Sequence, residues 1–314
     1  MQNFHNILYV SHATGDEDSG LLQALAIARN NHAAVKVLVV CPAIPEDFED
    51  YSQLCMDALA QRVQQSLNTV RERLNLAEDQ LALEVETDCG SRPAERVIHR
   101  VLDDGYDLVI KNVEGRNRRK GFKAMDMELL RKCPCPVWLC RPITDSHKKI
   151  DVAVAVDPEC DEASAYDLAI RLLRWSRTLA DTCSGELHII SCWDYDVDEY
   201  LRHNFPLSAS DEELDKATEA ARSKHRSKLD VLIHASGIGG KLDINHAIAR
   251  PDRYIPLLIE EKKFDILVMG TVGRTGIPGF IMGNTAENIL QKISCSLLAL
   301  KPGDFVSPVR EGSD

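Results

Sequence analysis

No apolar stretch in this 314-residue sequence approaches the ~18–20 residues needed to span a bilayer, so no membrane span is expected. Basic charge is scarce: 37 Lys and Arg stand against 49 Asp and Glu, for a net charge of −12. Neutralising a run of phosphates needs a basic face, so this balance argues against nucleic acid as the default partner. The opening MQNFHNILYVSH has no basic segment ahead of its apolar run, so no secretion signal is expected. Gly-Lys-Ser/Thr is missing from every glycine-rich stretch, which excludes a Walker phosphate loop. The ten cysteines are scattered, mostly within apolar runs. They fit a reducing compartment better than a disulfide framework, and the cytoplasm is the expected location.

What is present is a repeat. LLRKCPCPVWLCRP (129–142) aligns without gaps on ILQKISCSLLALKP (289–302), setting Cys135 on Cys295 and Pro142 on Pro302. YDLVIKNVEGR (106–116) matches FDILVMGTVGR (264–274), and NILYVSHA (6–13) matches DVAVAVDP (151–158). Blocks in the same order and similarly spaced define two copies of one unit. The first domain is expected over residues 1–145 and the second over 146–314, joined near PITDSHKK (142–149).

Each copy alternates short apolar strands with helices. In the second, strands are expected at 152–156, 186–192, 242–248, 265–269 and 296–301. Helices are expected at 161–180, about 211–235, 252–262 and 285–292. Continuously apolar strands separated by helices imply an α/β fold: two tandem doubly wound, Rossmann-like units, each a five-stranded parallel sheet with helices on both faces. The apolar fifth strands would be exposed edges unless the copies pack as a pseudo-dimer. Ligands of such sheets bind beyond the carboxyl ends of the strands, where the strand order reverses.

GTVGRTGIPGFIMG, at the end of the fourth strand of the second copy, holds five of the chain's 17 glycines. Glycine costs roughly 0.5–1 kcal/mol relative to alanine within regular structure. The usual return is close approach of backbone N–H groups to an anion at a helix N-terminus. Asp157 ends the first strand of the same copy and would face the same crevice. A glycine-rich turn that binds nothing is the plainer alternative.

The pattern Gly-x2-Gly-x9-Gly-(Ser/Thr) after strand four, with an Asp after strand one, resembles the universal stress protein family, and the tandem layout resembles its two-domain members. The resemblance covers nearly the whole chain. It implies that Asp157 holds an adenosine moiety and that Gly270, Thr271, Gly273, Arg274, Gly283, Asn284 and Thr285 hold phosphates. ATP or another adenine nucleotide, a small phosphate-bearing ligand, is the implied cofactor; the sequence itself suggests no metal site. The chain departs from the pattern at one position: Asn284 stands where Ser or Thr is usual, and Thr285 follows.

The first copy has His12 in place of Asp157 and Asn112 in place of Gly270, and only Gly115 matches a motif glycine. Its site is read as degenerate. Its loop carries Arg116, Arg118, Arg119, Lys120 and Lys123, either a solvated charged loop or an anion-binding surface. Cys133-x-Cys135 lacks a second pair at ligand spacing and reads as packing, with metal or redox chemistry the alternative. His188, His225, His234 and His246 accompany no nucleophile elbow, and no carboxylate pair is spaced for acid–base work. Asp107 and Asp265 read as polar residues of turns or helix ends, Trp138 and Trp175 as core, and Trp193 as a pocket wall. The functional expectation is a non-enzymatic stress-response protein binding a nucleotide. The alternatives are a carrier or sensor of an amphipathic ligand, suggested by the apolar IPGFIM, and a slow ATP hydrolase.

Overall fold

The computed structural model describes residues 4–13, 17–77, 83–113, 120–143, 149–160, 162–193, 211–272 and 282–309. The first copy runs β1 (Asn6–Ser11), α1 (Asp18–Asn31), β2 (Ala34–Cys41), α2 (Ser52–Leu74), β3 (Leu83–Cys89), α3 (Pro93–Asp104), β4 (Leu108–Asn112), α4 (Ala124–Lys132) and β5 (Val137–Cys140). The second runs β6 (Val152–Ala155), α5 (Ala163–Thr182), β7 (Leu187–Trp193), α6 (Asp211–Ser236), β8 (Leu242–Ile248), α7 (Pro251–Lys262), β9 (Ile266–Gly270), α8 (Asn284–Leu290) and β10 (Ser296–Leu300). Apart from β3 and β8 at the sheet's two edges, the strands are short, largely apolar runs, as a sheet covered on both faces requires. The copies also share punctuation. Helices α3 and α7 each open with proline in the first turn, where no N–H is missed. Each closes on a left-handed residue, Gly105 at φ 68° and Lys263 at φ 57°.

All ten strands form one sheet in the order β3-β2-β1-β4-β5-β10-β9-β6-β7-β8. Pairing is parallel within each copy and antiparallel only at the seam between them, where Leu139 stands against Leu297 and Trp138 against Leu298. Two apolar edges thereby disappear. The core follows suit. One apolar cluster lies under α1, α2, α5 and α6 and the other under α3, α4, α7 and α8, and each runs through both copies. Asp107 and Asp265 prove to pin strand starts. Asp107 accepts from the backbone N–H groups of His5 (2.6 Å) and Asn6 (3.2 Å), and Asp265 from that of Asp151 (2.9 Å).

The expectation of unpaired cysteines fails at one place. Cys41 and Cys89 form a disulfide, with Cα atoms 4.4 Å apart. They are register partners at the ends of β2 and β3, a proximity that a sequence separation of 48 conceals. Cys133, Cys135 and Cys295 are buried, as the packing reading requires. Among the described residues no group of three or more His, Cys, Asp and Glu could hold a metal ion. No helix among them is long and apolar enough to cross a membrane.

A shared sheet and shared cores predict one cooperative unfolding transition. Leu298→Ala, at a fully buried seam position, should cost about 2–5 kcal/mol and shift that single transition. Denaturant unfolding followed by tryptophan fluorescence and far-UV circular dichroism checks this, because Trp138 reports on the first copy and Trp175 and Trp193 on the second. Two separated transitions would contradict it.

Candidate functional site

In the second copy the strand order reverses between β6 and β9, since β6 runs on to β7 on one side while β8 returns to β9 on the other. Val154 pairs with Val268, so carrying the register three residues forward sets Asp157 beside Thr271. Asp157 is exposed, and its Oδ1 accepts from the Glu159 N–H at 2.9 Å. The Cys160 thiol donates to the Asp157 carbonyl at 2.7 Å. The bond from Glu159 closes an Asx-type turn and holds the carboxylate at the end of β6.

The glycine loop has a tied neck. Val272 and Met282 form an antiparallel bridge, and the Gly283 N–H donates to the Thr271 carbonyl at 3.1 Å. Thr271 itself faces inward. It is 1% exposed, its N–H donates to Leu300 O at 3.2 Å, and its hydroxyl reaches Leu130 O, in α4 of the first copy, at 3.5 Å. Gly270 matters for room: a Cβ there would lie 3.0 Å from Leu168 Cδ2 on α5. Gly283 caps α8 at φ −61°, a conformation open to any residue. Asn284 and Thr285 form the exposed first turn of α8. Gly273 and Arg274 lie outside the described residues. The crevice therefore gathers Asp157, Gly270, Gly283, Asn284 and Thr285 around the loop neck, while Thr271 fastens that neck to the other copy.

Beside the crevice, under α6, lies a cluster that sequence reasoning did not assemble. His225 Nδ1 and His246 Nε2 are 2.9 Å apart, and Trp193 stacks on both rings at centroid distances of 6.2 and 6.4 Å. Burial pushes both imidazole pKa values down. Glu159 opposes that shift at His225 and is itself held below the usual carboxylate range by Lys228, 2.9 Å away. Trp193 is thus a buried wall of this cluster.

The first copy packs its fourth strand against the following helix differently. Lys111 and Asp126, both essentially inaccessible, form an ion pair at 2.8 Å, and the Lys111 ammonium also donates to Asn112 O at 3.1 Å. The Asp126 carboxylate additionally accepts from the Lys123 N–H at 3.4 Å, at the start of α4. By the internal repeat these positions correspond to Met269 and Ala286, so an apolar contact in one copy is an ion pair in the other. The one available signal was a lysine inside the apolar run LVIK. The exchange extends to α1: a side chain at Gly20 would collide with that of Asn112, the counterpart of Gly270. His12 Nδ1 lies 3.3 Å from Val40 O. In the basic loop, Lys120 pairs with Glu260 of the second copy at 2.8 Å, while Arg116, Arg118 and Arg119 lie outside the described residues.

Tandem doubly wound domains, with an aspartate and a glycine loop at one switch point, define the class of protein. The model of the universal stress protein family matches residues 3–141 and again 151–301, and the chain belongs to that family. It is 26% identical to universal stress protein E of Photorhabdus laumondii, with 100% of both chains covered. Its identity to universal stress protein E of Escherichia coli K12 is 27%, with 98% of each covered. Among solved structures, a functionally unknown protein of Pseudomonas aeruginosa PAO1 superposes with a TM-score of 0.70 at 22% identity, over 96% of this chain and 94% of that one. A universal stress protein of Archaeoglobus fulgidus gives 0.61 at 17% identity, over 96% and 98%.

The repeat supplies its own test of the buried pair. Lys111→Met alone should destabilise the protein by about 3–5 kcal/mol, because it strands a buried carboxylate. Adding Asp126→Ala, which completes the second copy's apolar pair, should return all but about 1 kcal/mol, the share of the lost helix cap. Chemical denaturation of both variants decides it. A double variant as unstable as the single one would contradict the account.

Proposed function

We propose that this is a non-enzymatic, cytoplasmic stress-response protein that binds an adenine nucleotide such as ATP, or a similar phosphate-bearing ligand, in its second copy and signals through conformation or partners. Family membership supports the stress-response role. The observation that carries the nucleotide reading is the asymmetry between the copies. An exposed Asp157 stands beside the bridged loop neck in the second, where the first has His12 after its first strand and a Lys111–Asp126 ion pair where the second has Met269 and Ala286. In this reading Asp157 takes the adenosine moiety. The phosphates lie against Gly273, Arg274, Asn284 and Thr285, with Gly270 and Gly283 giving the backbone room. Thr271, whose hydroxyl and N–H are engaged elsewhere, sets the loop's position. The cytoplasmic assignment rests on thiol content, most cysteines being free.

Calorimetric titration with ATP tests the proposal. Asp157→Ala should abolish binding, and His12→Ala should leave it unchanged. Arg274→Ala removes a charge-assisted contact worth roughly 1.5–3 kcal/mol, so affinity should fall about ten-fold or more. Equal losses from the Asp157 and His12 substitutions would overturn the assignment to the second copy.

A further inference from the structure

On the sheet face that carries α1, α2, α5 and α6, the seam between the copies is not fully covered. A cavity of about 890 Å³ remains between α1 and α5, floored by Trp138 and Leu298. Its size is that of a small-molecule site. It lies at the fifth strands, away from the crevice between β6 and β9, and nothing in the nucleotide reading uses it.

Three features describe what would fit. Arginines 171, 174 and 177 follow one another at three-residue spacing on α5, and all line the cavity, as that spacing allows. Arg177 is ion-paired with Asp181. Arg171 and Arg174 bond instead to backbone carbonyls, Lys301 O at 3.1 Å and Ser236 O at 2.9 Å. Those bonds orient the guanidinium groups without neutralising them. Asp167 also lines the cavity but pairs with neither arginine. The second feature is Trp138, 3% exposed, whose indole N–H is buried without an acceptor. Such an unmade bond costs roughly 1–3 kcal/mol. The fold does not demand the donor, because the repeat places Leu298 at the equivalent position and the two face each other across the seam. The third is a flat apolar wall, Trp175, against which Phe4 packs edge-on at 4.4 Å.

We propose that this inter-copy cavity binds a small aromatic carboxylate, its ring against Trp175 and its carboxylate between the Trp138 indole N–H and the guanidinium groups of Arg171 and Arg174. The carboxylate supplies the acceptor that the indole lacks and the negative charge that the two arginines lack. The bond to Trp138 fixes the depth of the ligand, and the arginines select its charge. This site is independent of the nucleotide, since its floor and walls share no residue with the crevice.

The probe is 2-naphthoate, titrated by calorimetry into the full-length protein, with neutral 2-naphthalenemethanol as its control. One naphthoate per chain is expected, with the alcohol at least ten-fold weaker. Trp138→Phe keeps the ring and removes the donor, and should weaken naphthoate about five-fold or more. Arg174→Ala changes an exposed side chain that the core does not need, and should weaken it about ten-fold. Binding should persist unchanged in Asp157→Ala. No naphthoate binding at millimolar concentration, equal binding of acid and alcohol, indifference to Arg174→Ala in a folded variant, or loss in Asp157→Ala would each overturn the proposal.

Discussion

The antiparallel pairing of β5 with β10 is the constraint on which the rest of the molecule depends. It joins two parallel five-stranded sheets into one and makes each apolar layer continuous from copy to copy. The same pairing brings α4 of the first copy against the loop neck of the second, through the Thr271 hydroxyl on Leu130 O and the ion pair of Arg131 with Glu287. Carried outward, the register sets Arg141 opposite Cys295 and Lys301 opposite Cys135, a pseudo-symmetric arrangement of cation and thiol. Each cation lies over an aromatic ring, Arg141 over Phe122 at 5.2 Å and Lys301 over Phe305 at 5.0 Å. Burial lowers the pKa of both, and the neighbouring cysteines oppose the shift in each case. A seam so furnished carries charge that an ordinary apolar edge would not.

Around that seam the copies have diverged by compensated exchange. Where the second copy has Met269 and Ala286 it packs apolar surface, and where the first has Lys111 and Asp126 it packs a closed ion pair. Gly20 makes room for Asn112 in one copy, and Gly270 makes room for Leu168 in the other. A buried ion pair gains little over a well-packed apolar contact, so stability alone does not account for the exchange. Its consequence is local. The contact between β4 and α4 is charged in the first copy, that between β9 and α8 is apolar in the second, and only the second has an aspartate after its first strand.

Much of this was legible in the sequence, for a physical reason. Alternating apolar strands and helices, repeated in register, leave few ways to fold, and β8 falls at Leu242–Ile248 as the pattern LDINHAI marks it. Helix α5 is displaced from 161–180 to Ala163–Thr182 because Glu162, extended at ψ 136°, precedes its first turn, and no capping side chain announced that start. Features made by register between distant segments were not legible. The Cys41–Cys89 bond, the His225–His246 contact and the pairing of Lys111 with Asp126 all depend on which residues end up facing one another. The glycine loop stood out in the sequence as a candidate, but the packing at its neck did not. Gly270 provides room and Gly283 caps a helix, neither through a left-handed backbone, and Thr271 turns inward.

The proposed nucleotide site lies in the second copy, where Asp157 is exposed, and not in the first, where His12 takes its place. The most direct test is a crystal structure of the full chain grown with a non-hydrolysable ATP analogue. One analogue per chain is expected, at the carboxyl ends of β6 and β9 beside Asp157. An analogue beside His12 at the ends of β1 and β4, one in each copy, or none in either would contradict it.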